Sequence, residues 1–281
     1  MAVPEAGGPG MRLVQRLHWE MVMDPMAACS SVSFSDTHGN GVQAGKTPLM
    51  AGPLRQAERF DLPADCQRIV IVGAGGFGRE VLQWARDAWP DQPSLFGGFL
   101  SDDPRRLDGF VTGLGILSTV GDYVPSSGDY LLLGIGVPYS RRRVADLLLA
   151  REARFLTLVH PRAVVAPTAA VGEGSIICPY AVVSDSATLG RFVLANYHAS
   201  LGHDAVAGDY AVLSPYATLG GGARIDKEVF LGLHASVGPG IGVGPRSKVS
   251  ANSCVLSATP ADSLVYGVPG RIVPRVEVGP A

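Results

Sequence analysis

The C-terminal half of the chain carries a hydrophobic repeat of six residues. From Val165 to Val255 an aliphatic residue or alanine recurs at every sixth position, through sixteen hexapeptides without an insertion. The residue after it is usually glycine or another small or polar residue, and the fifth residue is nearly always small. Neither a helix, with about 3.6 residues per turn, nor a strand, with a side-chain period of two, produces this spacing. The pattern predicts a parallel β-helix in which each hexapeptide forms one flat face.

Three hexapeptides make one coil of such a triangular solenoid, so the sixteen repeats predict about five coils. The aliphatic residue fills the interior, the small residue lies where the triangle is tight, and the turn residues face outward. Residues one coil apart stack at roughly one strand spacing, ~4.8 Å. Solenoids of this kind wind left-handed, an exception to the right-handed crossover rule.

Residues 67–160 instead alternate strand and helix patterns. The predicted strands are RIVIV (68–72), LFGGFL (95–100), YLLLGIG (130–136) and FLTLVH (155–160), a glycine turn GAGGFG covers 73–78, and the predicted helices are REVLQWARDAW (79–89) and RRRVADLLLARE (141–152). This order favours a parallel sheet. The predicted fold class is therefore α/β plus all-β: a small Rossmann-like parallel-sheet domain over 67–160, followed by a left-handed parallel β-helix over 161–275.

Residues 1–66 show neither periodicity. They are rich in glycine, proline, alanine and serine, as in AVPEAGGPG. Because no hydrophobic pattern there can join a core, we expect a mostly disordered extension and assign it no function.

Composition narrows the class of protein. The 23 Lys and Arg residues nearly balance 25 Asp and Glu residues, which excludes a general nucleic-acid binder. Charged residues make up 17% and hydrophobic residues 47%, so most of the chain should fold. The four cysteines form no CxxC pair, and no apolar run approaches a membrane span. We expect a cytoplasmic protein with neither a disulfide framework nor membrane insertion.

The histidines near the repeats differ in their surroundings. His160 precedes the array and is assigned to the domain junction. His198 and His234 occupy the same turn position two coils apart, with Tyr216 between them, which favours a surface or subunit-contact role.

His203 is the candidate general base. It lies in the motif LGHD (201–204), next to Asp204, and one coil along the chain has glycines at 220–222. A neighbouring carboxylate holds an imidazole in one tautomer and leaves the other nitrogen free as a base. A glycine-lined backbone leaves N–H groups and room for a carbonyl group.

The motifs together resemble a known family. In order they are GAGGFGRE, SDDP, GIG, HPRAVVAPTAAVGEGSIICPYAVV, Asn196 followed by GHD, LGGGARI and VYGVPGRIV. Over residues 68–275 the chain resembles the bacterial sialic acid O-acetyltransferase and UDP-4-amino-sugar N-acetyltransferase family. The resemblance implies an acetyl-CoA-dependent acetyltransferase that acts on a nucleotide sugar in glycan biosynthesis, assembled as a homotrimer with active sites between neighbouring solenoids.

The resemblance also implies roles for individual residues. The residue matching His203 is the family's proposed general base, and the residue matching Asp204 orients it. Acyl transfer needs a donor for the developing oxyanion. We expect that donor to be the backbone N–H at Gly221 or its neighbour Gly220. Arg271, in VYGVPGR, is expected to contact a phosphate of CoA.

The glycine loop has two interpretations. A lone glycine loop with Asp102 and Asp103 on the next strand end is a weak signal for NAD, and redox chemistry is disfavoured because the unit is short. The same loop suits the diphosphate of a nucleotide sugar. The candidate substrate-binding residues are Gly75, Gly76, Phe77, Gly78, Asp102, Asp103 and Gly136. Phe77 stands where the family often has histidine, which puts a side-chain contact there in doubt.

Other functions stay open at this point. Gamma-class carbonic anhydrases share the solenoid and use two zinc-binding histidines at the spacing of His198 and His203. Arg162 stands where their third histidine should lie, so we expect no metal. A non-catalytic nucleotide-sugar sensor would not need the GHD motif. For the acceptor we favour the 4-amino group of a nucleotide-linked deoxysugar over a sialic acid hydroxyl.

Overall fold

The computed structural model describes residues 60–275. Its first part is a five-stranded parallel sheet. The strands lie in the order Ile116–Ser118, Phe96–Leu100, Arg68–Val72, Asp129–Leu133 and Arg154–Phe155. The elements are β1 (Arg68–Val72), α1 (Gly76–Ala88), a 3-10 turn (Pro93–Leu95), β2 (Phe96–Leu100), β3 (Ile116–Ser118), β4 (Asp129–Leu133), α2 (Pro138–Leu149) and β5 (Arg154–Phe155). Strands β1 and β4 are buried almost throughout, as expected for the centre of a parallel sheet.

Three predicted elements of this domain have different bounds in the structure. Helix α1 begins at Gly76, because the glycine loop already forms its first turn, and α2 begins at Pro138, a residue that suits the first helical position. The predicted closing strand 155–160 is divided: Arg154–Phe155 pairs with β4, whereas Leu158–Val159 (β6) pairs with the solenoid strand β9. The solenoid therefore begins a few residues earlier than 161.

Sixteen two-residue strands, β7–β22, follow and match the sixteen hexapeptides. They are Val164–Val165, Ala170–Val171, Ile176–Ile177, Val182–Val183, Thr188–Leu189, Leu194–Ala195, Ser200–Leu201, Val206–Ala207, Val212–Leu213, Thr218–Leu219, Arg224–Ile225, Phe230–Leu231, Ser236–Val237, Gly242–Val243, Lys248–Val249 and Cys254–Val255. A hairpin of β23 (Ser263–Tyr266) and β24 (Arg271–Pro274) closes the described chain. The predicted combination of a parallel-sheet domain and a hexapeptide solenoid is confirmed.

The solenoid has three faces, which we number in chain order. The first face is the sheet that contains β6, β9, β12, β15, β18 and β21, the second contains β7 to β22 at every third strand, and the third contains β8 to β20. Paired residues lie 18 positions apart, as in Val183 and Leu201. The aliphatic residues and the alanines at the corners form one buried core along the axis.

The sheet domain covers the first face. Outward-facing Ile176, Leu194 and Val212 on that face are buried in one cluster with Trp84 of α1 and residues of the sheet. Farther along this contact between the sheet domain and the solenoid, Arg142 of α2 forms an ion pair with Glu228 at 3.0 Å. The second and third faces meet no other element of the described chain in this way, so they are the open sides of the solenoid.

The end of the predicted disordered extension packs on the sheet domain. Leu62 and Cys66 lie against its core, and Asp65 accepts hydrogen bonds from Tyr130 at 2.8 Å and Arg154 at 2.5 Å. Disorder is predicted for this segment because it shows no hydrophobic period. The segment is ordered by contacts with residues that are distant in sequence, which a local pattern does not reveal. Residues 1–59 lie outside the described residues.

Within residues 60–275 no helix is long and apolar enough to cross a membrane.

Candidate active site

His203 occupies the corner between the second and third faces, which we call the His203 corner. Its Nδ1 lies 2.8 Å from Oδ2 of Asp204, which adopts a left-handed backbone with φ +58°. An ionised carboxylate only accepts hydrogen bonds, so Nδ1 carries the proton and Nε2 is left as a free acceptor. The His203 side chain is 70% exposed in the single chain. The corner thus presents an oriented base to an open surface.

The glycines at 220–222, which we call the glycine column, lie one coil along from His203, and Gly221 lies against its imidazole. A Cβ on Gly221 would come too close to Nε2 of His203, so a larger residue one coil along would displace the exposed imidazole. Gly222, at φ +65°, donates its N–H to the His203 carbonyl at 2.8 Å. Among the described residues the Gly221 N–H has no hydrogen-bond partner. It is therefore the available donor next to the base.

Gly220 cannot share this role. Its N–H donates to the Val237 carbonyl at 2.9 Å as part of the sheet ladder. The expectation that Gly220 assists as an oxyanion donor is corrected on that ground, and Gly221 remains.

His198 and His234 belong to a different corner, between the first and second faces. There Tyr180, His198, Tyr216 and His234 stack in one column, with ring centroids 5.0, 4.7 and 4.6 Å apart. Arg162 continues the column and donates to the Tyr180 hydroxyl at 2.7 Å. The column is an exposed aromatic edge, and its predicted surface or subunit-contact role stays a prediction.

Metal ligation finds no geometric support in the described part of the chain. Residues 60–275 contain no group of three His, Cys, Asp or Glu side chains that could hold a metal ion. His160, the remaining described histidine, is buried at the domain junction, where its Nε2 lies 3.1 Å from Asp87.

The glycine loop lies at the carboxyl edge of the sheet, where it starts α1. A Cβ on Gly78 would overlap the Gly73 carbonyl, so Gly78 allows close helix–strand packing and is not a ligand contact. Gly75 is the N-cap of α1 and has no side chain to occupy the free amides of the first turn. Gly75 and Gly76 therefore remain the candidates for phosphate contacts.

Phe77 packs on the sheet domain. Its ring lies edge-on against Trp84 at 5.9 Å and is partly buried against the core of that domain. A contact between Phe77 and the substrate stays a prediction.

Asp102 and Asp103 organise the loop after β2. Oδ1 of Asp102 accepts from the Val120 N–H at 2.9 Å, and Oδ1 of Asp103 accepts from the Arg105 N–H at 3.0 Å. One carboxylate oxygen of Asp102 and one of Asp103 therefore accept hydrogen bonds from backbone N–H groups. Both side chains stay exposed at the same sheet edge as the glycine loop.

Two arginines near this loop were missed in the sequence. A Cβ on Gly75 would lie 3.7 Å from Nη2 of Arg106, and one on Gly76 would lie 4.0 Å from Nη2 of Arg79. Arg79 also stacks over Phe110 at 3.5 Å. Two guanidinium groups at an uncapped helix N-terminus favour an anion. The signal was the arginine after GAGGFG and the pair after SDDP.

Arg271 lies apart from the His203 corner. It starts β24, in the hairpin that extends the first face, and its side chain is exposed. Within one chain the structure does not bring Arg271, the glycine loop and His203 together.

A second open space lies beside the sheet edge. A cavity of about 340 Å³ separates the start of α2 from the solenoid and is lined by Val137, Tyr139, Arg142 and Lys248 among others. Gly136 immediately precedes this lining, and a Cβ there would meet nothing within 4 Å. The edge formed by the loops after β1 and β4 is thus open to a ligand.

The described chain therefore joins a hexapeptide solenoid, in which Asp204 orients His203 at a glycine-lined corner, to a parallel-sheet domain with two arginines near the start of α1. No protein-family profile matches the chain. Among curated proteins it is similar to GDP-perosamine N-acetyltransferase of Escherichia coli O157:H7, with 28% identity over 135 residues. That match covers 48% of this chain and 61% of the relative, so the chain spans about three-fifths of the curated protein's length.

Solved structures extend the likeness over most of the chain. PerB from Caulobacter crescentus, in complex with CoA and GDP-perosamine, has 25% identity and a TM-score of 0.67, covering 73% of this chain and 97% of PerB. The acetyltransferase domain of PglB from Neisseria gonorrhoeae, in complex with acetyl coenzyme A, has 26% identity and a TM-score of 0.66, covering 74% and 100%. WeeI from Acinetobacter baumannii has 26% identity and a TM-score of 0.67, covering 73% and 99%. The resemblance to a hexapeptide-repeat N-acetyltransferase family acting on amino sugars is confirmed.

Proposed function

We propose that this chain transfers the acetyl group of acetyl-CoA to the 4-amino group of a nucleotide-linked deoxysugar. The observation that carries the proposal is the His203 corner, where Asp204 fixes the imidazole and the Gly221 N–H is unpaired. Support comes also from similar proteins whose structures contain CoA, acetyl coenzyme A or GDP-perosamine. We place the reaction in the cytoplasm, in keeping with the free thiols of Cys66, Cys178 and Cys254.

His203 moves one proton in this reaction. Its Nε2 accepts a proton from the sugar amine as the C–N bond to the acetyl carbon forms. The Gly221 N–H donates to the carbonyl oxygen as that oxygen becomes negative. When the C–S bond breaks, the imidazolium returns the proton to sulfur, so CoA leaves as the free thiol and no proton is gained or lost. Asp204 stabilises the imidazolium in between.

The nucleotide would bind at the edge of the sheet domain. Among the described residues the N–H groups of Gly75 and Gly76, at the start of α1, have no hydrogen-bond partner, and Arg79 and Arg106 add positive charge beside them. A diphosphate has the charge and the acceptor oxygens to use both. Asp102 or Asp103 retains an oxygen for a ribose or a base.

The active site would be shared between two copies of the chain. The sheet domain covers the first face, whereas His203 lies at the corner opposite that face. Each face is about six residues long, or roughly 20 Å, so the His203 corner is roughly 15–20 Å from the sheet domain of its own chain. A sugar held at the sheet edge would meet the base of a neighbouring solenoid. A homotrimer closes this arrangement by three-fold symmetry.

Thiol release from acetyl-CoA tests the proposal. A panel of UDP-, GDP- and dTDP-linked 4-amino sugars should include at least one acceptor, and mass spectrometry should show one acetyl group on nitrogen. Release with a sialic acid but with none of the amino sugars would replace this function with O-acetylation. Absence of release with every acceptor, from protein that binds nucleotide sugar, would favour a sensor.

A further inference from the structure

The largest fully buried side chain in the described chain is an arginine. Arg141, in the first turns of α2, has no exposed surface. Its Nη1 donates to the carbonyls of Leu133 at 2.9 Å and Ile135 at 2.6 Å, and its Nε donates to the carbonyl of Phe192 at 2.9 Å. These acceptors come from the end of β4, the loop after it and a corner of the solenoid.

The charge of Arg141 has no carboxylate partner. Among residues 60–275 none of the ion pairs includes it, and its Nη2 makes no hydrogen bond. Burial lowers the pKa of Arg141 to about 9, so the group is still charged at neutral pH. The buried guanidinium is compensated by the carbonyls of Leu133, Ile135 and Phe192, which an apolar side chain would leave without a donor. A guanidinium stands at this position for a reason that an apolar side chain could not serve.

The reason lies in the peptide that Arg141 holds. A trans peptide directs its C=O and N–H to opposite sides. Because the Ile135 carbonyl points at the guanidinium, the N–H of Gly136 points away from it. Among the described residues that N–H has no hydrogen-bond partner, and the space around Gly136 is open. Arg141 thus fixes the direction of an unused donor.

This donor shares an edge with the glycine loop. Strand β1 pairs with β4, Val72 opposite Leu133, and the loops that follow the two strands are in contact. A Cβ on Gly73 would lie 2.9 Å from the Gly134 carbonyl. The loop that carries Gly136 and the loop that starts α1 therefore lie side by side at the carboxyl ends of parallel strands, where such sheets bind ligands.

We propose that Arg141 is a positioning residue for the nucleotide: it orients the Ile135–Gly136 peptide so that the Gly136 N–H donates to the diphosphate of the nucleotide sugar. The inference rests on the proposed function and deepens its nucleotide site. Arg141 touches neither substrate nor reacting atoms. Its effect is transmitted through one peptide plane, while its bond to Phe192 anchors that plane to the solenoid.

The test compares nucleotide affinity in Arg141→Lys, Arg141→Met and the control Arg143→Met. Arg143 lies on the same helix, is exposed and loses the same charge in the control. Titration calorimetry with GDP, UDP and dTDP measures the nucleotide site without the acetyl step. We expect Arg141→Met to weaken binding of the accepted nucleotide roughly ten- to a hundred-fold, which is the effect of losing one hydrogen bond to a charged group. The affinity of Arg141→Lys should lie between those of the wild type and Arg141→Met. Arg143→Met should bind as the wild type does.

Steady-state kinetics separate positioning from general damage. The KM of the nucleotide sugar should rise with its Kd, while the KM of acetyl-CoA and kcat at saturating sugar stay within about two-fold. If Arg141→Met does not fold, Arg141→Lys decides the outcome. Folded Arg141 variants that bind nucleotide like the wild type, or that lose kcat with nucleotide Kd unchanged, would overturn the inference. A wild type that binds none of the three nucleotides would instead overturn the proposed function, and this inference with it.

Discussion

Two inactive variants should restore activity when they are assembled together. His203→Ala removes the base, and Gly75→Asp places a carboxylate where the diphosphate is expected. Aspartate is well suited to Gly75 as a fold-preserving change, because Gly75 is the N-cap of α1 with φ −71° and its added Cβ comes no closer than 3.7 Å to a neighbour. Each variant alone should lose most acetyl transfer, roughly a hundred-fold or more for the loss of the base.

The magnitude of the restored activity follows from symmetry. A trimer that contains both variants has one site that joins an intact His203 corner to an intact sheet edge. Co-expression with two different affinity tags and purification on both should give mixed trimers with about a third of wild-type activity. A site within one chain would give only the background of the single variants, because no chain is intact at both places.

A second mixture serves as the control. Wild type combined with the double variant in equal amounts, without selection of mixed trimers, should retain about a quarter of wild-type activity per chain if sites are shared and about half if they are not. Mixed trimers at background in the first experiment, together with half activity in the second, would refute the shared site. The assay in both cases is thiol release at a saturating concentration of each substrate.

Three further outcomes are expected. His203→Ala should lower kcat by a factor of roughly 10² to 10⁴ with substrate affinities unchanged. Asp204→Asn should lower kcat by a smaller factor, and the control His198→Ala should keep most activity. Thiol release measures all three variants. Burial would raise the pKa of Asp129, but hydrogen bonds from Arg68, Tyr123 and the Ser126 N–H outweigh it and hold the pKa below its ordinary value. The stability this carboxylate provides is present at neutral pH and is lost as pH falls through its folded pKa, so thermal melts should show a smaller loss on acidification for Asp129→Asn than for the wild type. Deleting residues 1–59 should leave the melting temperature and acetyl transfer unchanged. Deletion through residue 66 should lower the melting temperature, because Tyr130 and Arg154 then lose their shared acceptor Asp65.

The solenoid was predictable because its signal is local and repeated. Each hexapeptide places one aliphatic residue inside, so the period alone located all sixteen strands. The pairing of His203 with Asp204 was also readable, since the two residues are adjacent in sequence. Gly136 was also predicted as a candidate, but the direction of its N–H was not, because the carbonyl of Ile135 takes its direction from Arg141, six residues away.

Other features depend on partners that are distant in sequence. The short strand Ile116–Ser118 carries too little pattern to be seen alone and exists because it pairs with β2. The division of FLTLVH into β5 and β6 depends on the solenoid offering a second pairing edge at Ile176–Ile177. The contact of Phe77 with Trp84 was not predicted, because a motif position does not say on which side of a helix such a neighbour lies.

The 18-residue register limits how this gene can change in length. Insertion of one hexapeptide between His203 and Gly221 would keep every aliphatic residue inside, and the solenoid would still fold. Yet it would carry the glycine column to the next corner and separate the base from its donor. Insertion of a whole coil of three hexapeptides beyond Gly221 would leave that column in place. Tolerated duplications should therefore come in units of 54 base pairs, 18 codons at three bases each, and lie to one side of the catalytic coil.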